Sequence, residues 1–255
     1  MDAQRKISLA AGVLMLLTFI TSIAAAILYG PIIDNPSYIT GPGADGRVLF
    51  GAFLEVFLIV TNLGTALVLY PILKRQNETL SLGYVVARII ESIFIAIGIV
   101  ALLVVVTLRQ GAPGADSGSL LAIGQALVAV NRWTFVLGPG VVVGFGNGIL
   151  LGYLMYRSGL MPRGLTLFGL VGGPLIVISG LAIVLGIIDR GGAVQGIATA
   201  PEFIWELSIG LYLTFKGFKS TAPILATTVA GAGGAAGSAT PVRSQAAVAT
   251  TAGAA

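Results

Sequence analysis

Six times along this chain, apolar residues run on for about the length a helix needs to cross a bilayer. The runs fall at about 7–29, 48–72, 82–108, 132–156, 164–188 and 201–217. A helix of roughly 20 residues spans the hydrocarbon core. Lipid offers no partner to backbone amides and carbonyls, so a spanning segment must satisfy them internally, as a helix does. Only 9% of the 255 residues are charged, against about 25% in soluble domains, and the mean hydropathy is +0.98. The expected fold is therefore all-α: a polytopic membrane protein with six transmembrane helices. The stretch from Ser119 to Tyr156 is too long for one upright span. It divides into a short interfacial helix, about 120–130, and a fourth span beginning near Arg132 and Trp133. A single kinked helix is the alternative.

The first run begins with Arg5 and Lys6, as a signal peptide would, but its apolar part is about twice the usual 7–15 residues. It reads as a retained span. Lys and Arg then set the orientation. Arg5, Lys6, Lys74, Arg75, Arg157, Arg163, Lys216 and Lys219 fall on one side, and Arg47, Arg109 and Arg190 on the other. The positive-inside rule places both termini in the cytoplasm. Residues 1–219 form one six-helix domain in this reading. Residues 220–255, rich in Ala, Gly and Thr, read as a disordered cytoplasmic tail.

The inventory narrows the chemistry. There is no cysteine and no histidine, which removes thiol nucleophiles, thiolate and imidazole metal sites and the usual near-neutral acid–base group. No cofactor or metal is expected, and no enzymatic activity: an enzyme acting on lipid would have to work with carboxylates alone. The net charge of +4 reflects loop Lys and Arg and implies no nucleic-acid partner. The expected surroundings are the lipid bilayer and a small-molecule or ion ligand.

The most informative residues are charges inside the apolar runs, because a charge at membrane depth is costly and usually faces a protein interior or a cavity. Glu55 lies roughly 10 Å below the outer surface, and Arg88 and Glu91 about 9 and 13 Å above the inner one, at 1.5 Å per residue. Arg88 and Glu91 stand at i, i+3 on one helix face, with Tyr84 and Ile95. They serve either as a self-neutralising ion pair or as half of a polar site. Glu55 has no basic partner on its own helix; it either pairs with Arg132 or Arg88 across helices or binds a cation or proton. Glu206 is a further carboxylate at depth. Four residues before it, Glu202 closes Thr199-Ala-Pro-Glu202, a capping-box pattern that makes it a structural cap. Glu55, Arg88, Glu91, Arg132 and Glu206 are the candidate ligand- or ion-binding residues. Glu55 is expected to face a polar cavity shared with the third and sixth spans.

Gly140, Gly144, Gly148 and Gly152 recur every fourth residue of the fourth span, and Gly169 and Gly173 form a shorter pair in the fifth. Glycine weakens a helix by about 1 kcal/mol relative to Ala, but a stripe of it lets another helix approach closely. Packing inside the monomer and a homo-oligomer contact are both open to this stripe.

Three segments carry a resemblance: YPILKRQNETLSLGYVVARIIES, LGPGVVVGFGNGILLGYLMYRSGLMPRG and PEFIWELSIGLYLTFKGF. With the order of spans, they resemble the bacterial membrane-protein family called domain of unknown function 4386, over residues 5–219. GYLMYRSGLMPR is the most specific piece. Arg88 and Glu91 match an Arg-x-x-Glu pair in the third span, and Glu206 a Trp-Glu-Leu-Ser segment in the last. The resemblance implies an all-helical protein of the bacterial plasma membrane and no particular activity. Two functions remain: a small transporter-like or ligand-binding protein working through intramembrane carboxylates, and a structural or regulatory protein, such as a subunit or an envelope-stress factor.

Overall fold

The computed structural model describes residues 2–111 and 116–225. The described chain is helical: α1 (Ala3–Leu28), the single turn α2 (Gly30–Ile33), α3 (Asp45–Leu73), α4 (Glu78–Gly111), α5 (Ser117–Phe135), α6 (Gly152–Ser158), α7 (Arg163–Val184) and α8 (Ala193–Phe215). Asp2 starts α1 by accepting the Arg5 amide at 2.6 Å, and Asp116 starts α5 by accepting the Ser119 amide at 2.8 Å. Each satisfies an amide that the first helical turn leaves free. The bond from the Ser119 amide holds the exposed Asp116 carboxyl below its ordinary range.

Five helical segments are long and apolar enough to cross a membrane: α1, α3, α4, the run Ser117–Ser158, and α7. The sixth expected segment is α8, a helix of 23 residues packed between α1 and α7; it is not among those five. Large apolar side chains such as Ile20, Leu67 and Ile178 are about 60% exposed, as a lipid-facing surface requires.

The expected break between an interfacial helix and a fourth span is absent. Ser117–Ser158 is one helical run of 42 residues, the alternative that the sequence left open. No proline interrupts it before Pro139. There the chain widens to π-helical turns at Val136–Val142 and Gly144–Leu151 instead of ending. Pro139 has no amide to donate, and π-helical turns are one way a helix accommodates a local irregularity. At 1.5 Å per residue the run is about 63 Å long, twice a hydrocarbon core. A run of that length extends beyond the core, and its first turns pack beside the last turns of α4.

The connection from α2 to α3 covers that extension. Tyr38 and Ile39 are buried with Leu102 and Val105 of α4, and Ile39 lies over Gly124, where an added Cβ would come within 2.9 Å of it. Asp45 accepts from Tyr38 Oη at 2.6 Å and from Arg109 at 2.5 Å. Burial, and then the bond to Asp45, hold the Tyr38 hydroxyl above its ordinary pKa.

At the opposite end the core is continuous and apolar. Leu69, Leu73, Tyr84, Leu151, Leu154, Met155, Trp205, Ile209 and Leu213 belong to one cluster. Arg5 donates to the carbonyls of Leu213 and Thr214 at 3.0 and 2.7 Å, so the start of α1 and the end of α8 meet there. Ala222, Ile224 and Leu225 also lie in this cluster, and the Lys219 amide bonds the Leu160 carbonyl at 2.8 Å. The packed chain thus runs past the expected boundary at 219, because three apolar side chains in an otherwise bland segment find a core to enter. Residues 226–255 of the expected tail lie outside the described residues.

The glycine stripe meets α7 inside the chain. A Cβ on Gly144 would stand 2.7 Å from the Gly173 carbonyl oxygen, and one on Gly152 would stand 3.4 Å from Gly169. Of the two roles open to the stripe, packing inside the chain is the one observed: Gly144, Gly148 and Gly152 are covered by α7. Gly140 alone meets nothing closer than the Phe135 carbonyl of its own helix, at 3.6 Å.

Candidate functional site

On α4, the three-residue spacing puts Arg88 and Glu91 on one face, and Arg88 Nη1 lies 2.7 Å from Glu91 Oε2. Their side chains are 1% and 6% exposed, so neither charge has water to fall back on. Nε and Nη2 of Arg88 have no hydrogen-bond partner. Ser92 Oγ donates to the Arg88 carbonyl at 2.8 Å and accepts from Asn62 of α3 at 3.3 Å, which ties the two helices together at this level. One turn before Arg88, the Tyr84 hydroxyl is buried without a partner.

Glu55 of α3 accepts a hydrogen bond from Tyr29 Oη at 2.9 Å. The pairing with Arg132 or Arg88 expected as one alternative does not occur: neither arginine is within ion-pair distance of Glu55. Tyr29, the residue that ends α1, takes that place. Gly51 makes room for it, because a Cβ there would lie 2.9 Å from the tyrosine ring, and Glu55 follows one turn later on the same face of α3.

Glu206 of α8 accepts from Asn147 Nδ2 at 2.5 Å. Trp205 Nε1 donates to the Asn147 backbone carbonyl at 2.9 Å, so a π-helical turn is held to α8 through both the side chain and the backbone of one asparagine. Glu202 is not a cap, and that expectation is corrected. α8 begins nine residues earlier, at Ala193. Thr199 lies inside the helix, donating to the Gln195 carbonyl at 2.8 Å, and Pro201 is accommodated in the helix interior. Glu202 is 2% exposed, and neither carboxylate oxygen has a hydrogen-bond partner. It sits against the glycines: a Cβ on Gly148 would lie 2.6 Å from Glu202 Oε2, and one on Gly172 would lie 2.5 Å from the Glu202 amide.

A cavity of about 350 Å³ lies between these helices, and Glu55, Arg88, Glu91, Arg132 and Glu206 all line it. The structure thus brings together five residues spread over 152 positions of sequence, from α3, α4, α5 and α8. Tyr29 and Arg190 line it too, whereas Glu202 is outside the lining. The rest of the wall is largely apolar, with Met15, Phe19, Leu58, Ile95, Phe135 and Val143 among its residues. Arg132 is anchored by Nη2 on the Ile33 carbonyl at 2.5 Å, and its buried Nε has no partner. Arg190, in the α7–α8 connection, is exposed, so the cavity reaches the surface at that end. Partial burial and then the neighbouring Arg132 charge lower the proton affinity of Arg190. Among the described residues, no group of three or more Asp or Glu is arranged to hold a metal ion.

Sequence reasoning passed over Tyr29, Arg190 and the partnerless state of Glu202. Tyr29 and Arg190 read as ordinary loop-end residues, and no local signal marks them. Asn147 carried a signal, a lone amide in a glycine-rich span, but its pairing with Glu206 is a matter of tertiary contact.

The family profile described as Domain of unknown function (DUF4386) matches residues 10–217, most of the chain, and the protein belongs to that family. No curated protein and no solved structure matches the chain.

Proposed function

Family membership carries no activity with it, and we propose from the site alone that this member is a small ligand-binding membrane protein with a transporter-like cavity and no enzymatic role. In this reading α8 is the sixth span, both termini are cytoplasmic, and the cavity opens on the outer side. Carrying the proposal is one observation: Glu55, Arg88, Glu91, Arg132 and Glu206 converge from four helical segments on one cavity. Ion pairs placed only for structure would close on one another, but here Glu55 and Glu206 present carboxylates bonded by neutral donors, Tyr29 and Asn147. A pocket of roughly 300–1,000 Å³ with apolar walls and a few convergent polar groups is the usual form of a small-ligand site. The positive-inside asymmetry supports the orientation. A structural role has its own observation in the closed Arg88–Glu91 pair, which ties the site to the packed half of the bundle.

The chain has no cysteine, so a single introduced thiol reports its surroundings without background. Ser22 lines the cavity. Ser22→Cys should react with a small water-soluble thiol reagent applied from outside, and Leu69→Cys, at 0% exposure, should not. A Ser22→Cys protein as inert as Leu69→Cys would mean a closed interior and would end the binding proposal.

A further inference from the structure

The two ends of the cavity differ in charge. Glu55, Glu91 and Glu206 line it together with the paired Arg88. Arg132 and Arg190 both line the cavity at its surface end, near enough for the Arg132 charge to act on Arg190, and among the described residues neither forms an ion pair with an acidic side chain. Asp34 and Asp189 are close in sequence to the site but are exposed, and neither is within ion-pair distance of these arginines. Two guanidinium groups that repel each other, one with a buried and unbonded Nε, form an arrangement that an oxyanion relieves. Guanidinium groups bind carboxylate and phosphate through paired, charge-assisted hydrogen bonds.

The cavity also reaches the apolar side of the bundle. Ala26 of α1 and Phe135 at the end of α5 both line it. Ala26 is exposed on the outside and Phe135 is 56% exposed. α1 packs chiefly on α3 and α8, and α5 on α4, which leaves the space between α1 and α5 to the cavity. Ile23 and Ile27, on the same stretch of α1, are 41% and 65% exposed. A ligand can therefore keep a hydrocarbon chain between α1 and α5 while its head lies at the arginines. At about 350 Å³ the space is near the lower end for small-ligand sites and suits one chain rather than two.

Resting on the cavity reading above, we propose that the ligand is a single-chain amphiphile with an oxyanion headgroup, carboxylate or phosphate, held by Arg132 and Arg190 at the cavity mouth and taken up sideways from the membrane. The amphiphile's head replaces the missing counter-charge, and its chain lies against Phe19, Phe135 and Val143. Glu55 and Glu206, deeper in the cavity, keep a second anionic group out.

The test uses the full chain carrying Ser22→Cys in nanodiscs of zwitterionic lipid. Thiol labelling is measured against added oleate, oleoyl lysophosphatidate, oleyl alcohol and inorganic phosphate. Oleate or oleoyl lysophosphatidate should protect Ser22→Cys saturably, and which of the two does so at lower concentration identifies the headgroup. Oleyl alcohol should need at least tenfold more. Arg190→Gln removes a charge from an exposed connection and should weaken protection by about tenfold, the effect of one charge-assisted contact. Arg132→Gln should act in the same direction, and Arg47→Gln, at an exposed arginine outside the cavity, should have no effect. Equal protection by oleyl alcohol, an Arg190→Gln protein with unchanged affinity, or protection by inorganic phosphate alone would each overturn the proposal. If the free thiol reacts and no amphiphile protects it, the ligand class is wrong and the cavity stands. If the free thiol never reacts, both readings fall.

Discussion

At the end of the bundle where α1 begins and α8 finishes, the helices touch backbone to backbone. Gly144 and Gly148 meet Gly173, and Leu151, Leu154, Trp205 and Leu213 are 0% exposed. At the other end a second apolar cluster, with Tyr38, Ile39, Leu102 and Val105, stands beside about 350 Å³ of cavity, and the contacts at the cavity wall are polar, Tyr29 to Glu55 and Arg132 to the Ile33 carbonyl. The two halves use the same amino acids differently. In the packed half, glycine replaces bulk so that neighbouring spans gain van der Waals contact, the attraction available between helices in lipid. In the open half, glycine admits side chains, Tyr29 at Gly51 and Ile39 at Gly124, and aromatic and charged residues line the cavity between the helices. Arg88, Glu91, Glu202 and Glu206 stand where the halves meet, which puts the costliest groups to bury next to the best-packed ones.

If this contrast is right, the largest effect should come from Gly148→Leu. The new side chain would run into Glu202 and, closer still, into the Gly173 backbone, which cannot give way, and the protein should fail to accumulate in membranes. Gly140→Leu, four residues away from Gly144 on the same stripe and facing no other helix, should be mild. Equal tolerance at the two positions would abolish the distinction between the halves.

Next in size is the boundary pair. Arg88→Ala or Glu91→Ala leaves a buried partner uncompensated, at a cost of about 3–5 kcal/mol. The double variant should recover part of that loss. Thermal unfolding in detergent measures it, and strict additivity would show that the two groups do not interact.

Ending the chain after Lys219 removes Ile224 and Leu225, which are 7% and 4% exposed. The loss should be about 2–4 kcal/mol, comparable to truncating a buried Ile or Leu. A chain stopped at Lys219 with an unaltered melting temperature would move the edge of the packed half back to the boundary expected from composition.

The smallest effect belongs to the open half. Tyr29→Phe deletes the hydroxyl that bonds Glu55 and should cost about 1–2 kcal/mol, with the fold otherwise retained. A loss as large as that of Arg88→Ala would mean that Glu55 is part of a closed structural network.

Much of this architecture was legible in the sequence, and for a definite reason. Solvent acts on composition: lipid cannot satisfy a backbone amide, so long apolar runs with few charges determine helices, and five of the helical segments found are long and apolar enough to cross a membrane. The same solvent makes Glu55, Arg88, Glu91, Arg132 and Glu206 conspicuous before any contact is known. The i, i+3 geometry of Arg88 and Glu91 is local, so it too could be read directly.

What the tertiary structure decided is everything that depends on a neighbour distant in sequence. Thr199-Ala-Pro-Glu202 satisfies the local rule for a cap, yet the helix begins at Ala193, and Glu202 faces Gly148 and Gly172 instead. Pro139 cannot donate to a helical hydrogen bond, yet the chain passes through it as a π-helix. Ile224 and Leu225 sit in a segment of low-complexity composition and still enter a core formed by residues from Ala11 to Leu213. Tyr29 became the partner of Glu55 because Gly51 leaves room for its ring. In each case a local pattern offers several outcomes of nearly equal energy, and which one is adopted depends on the steric and electrostatic character of a surface that another helix supplies.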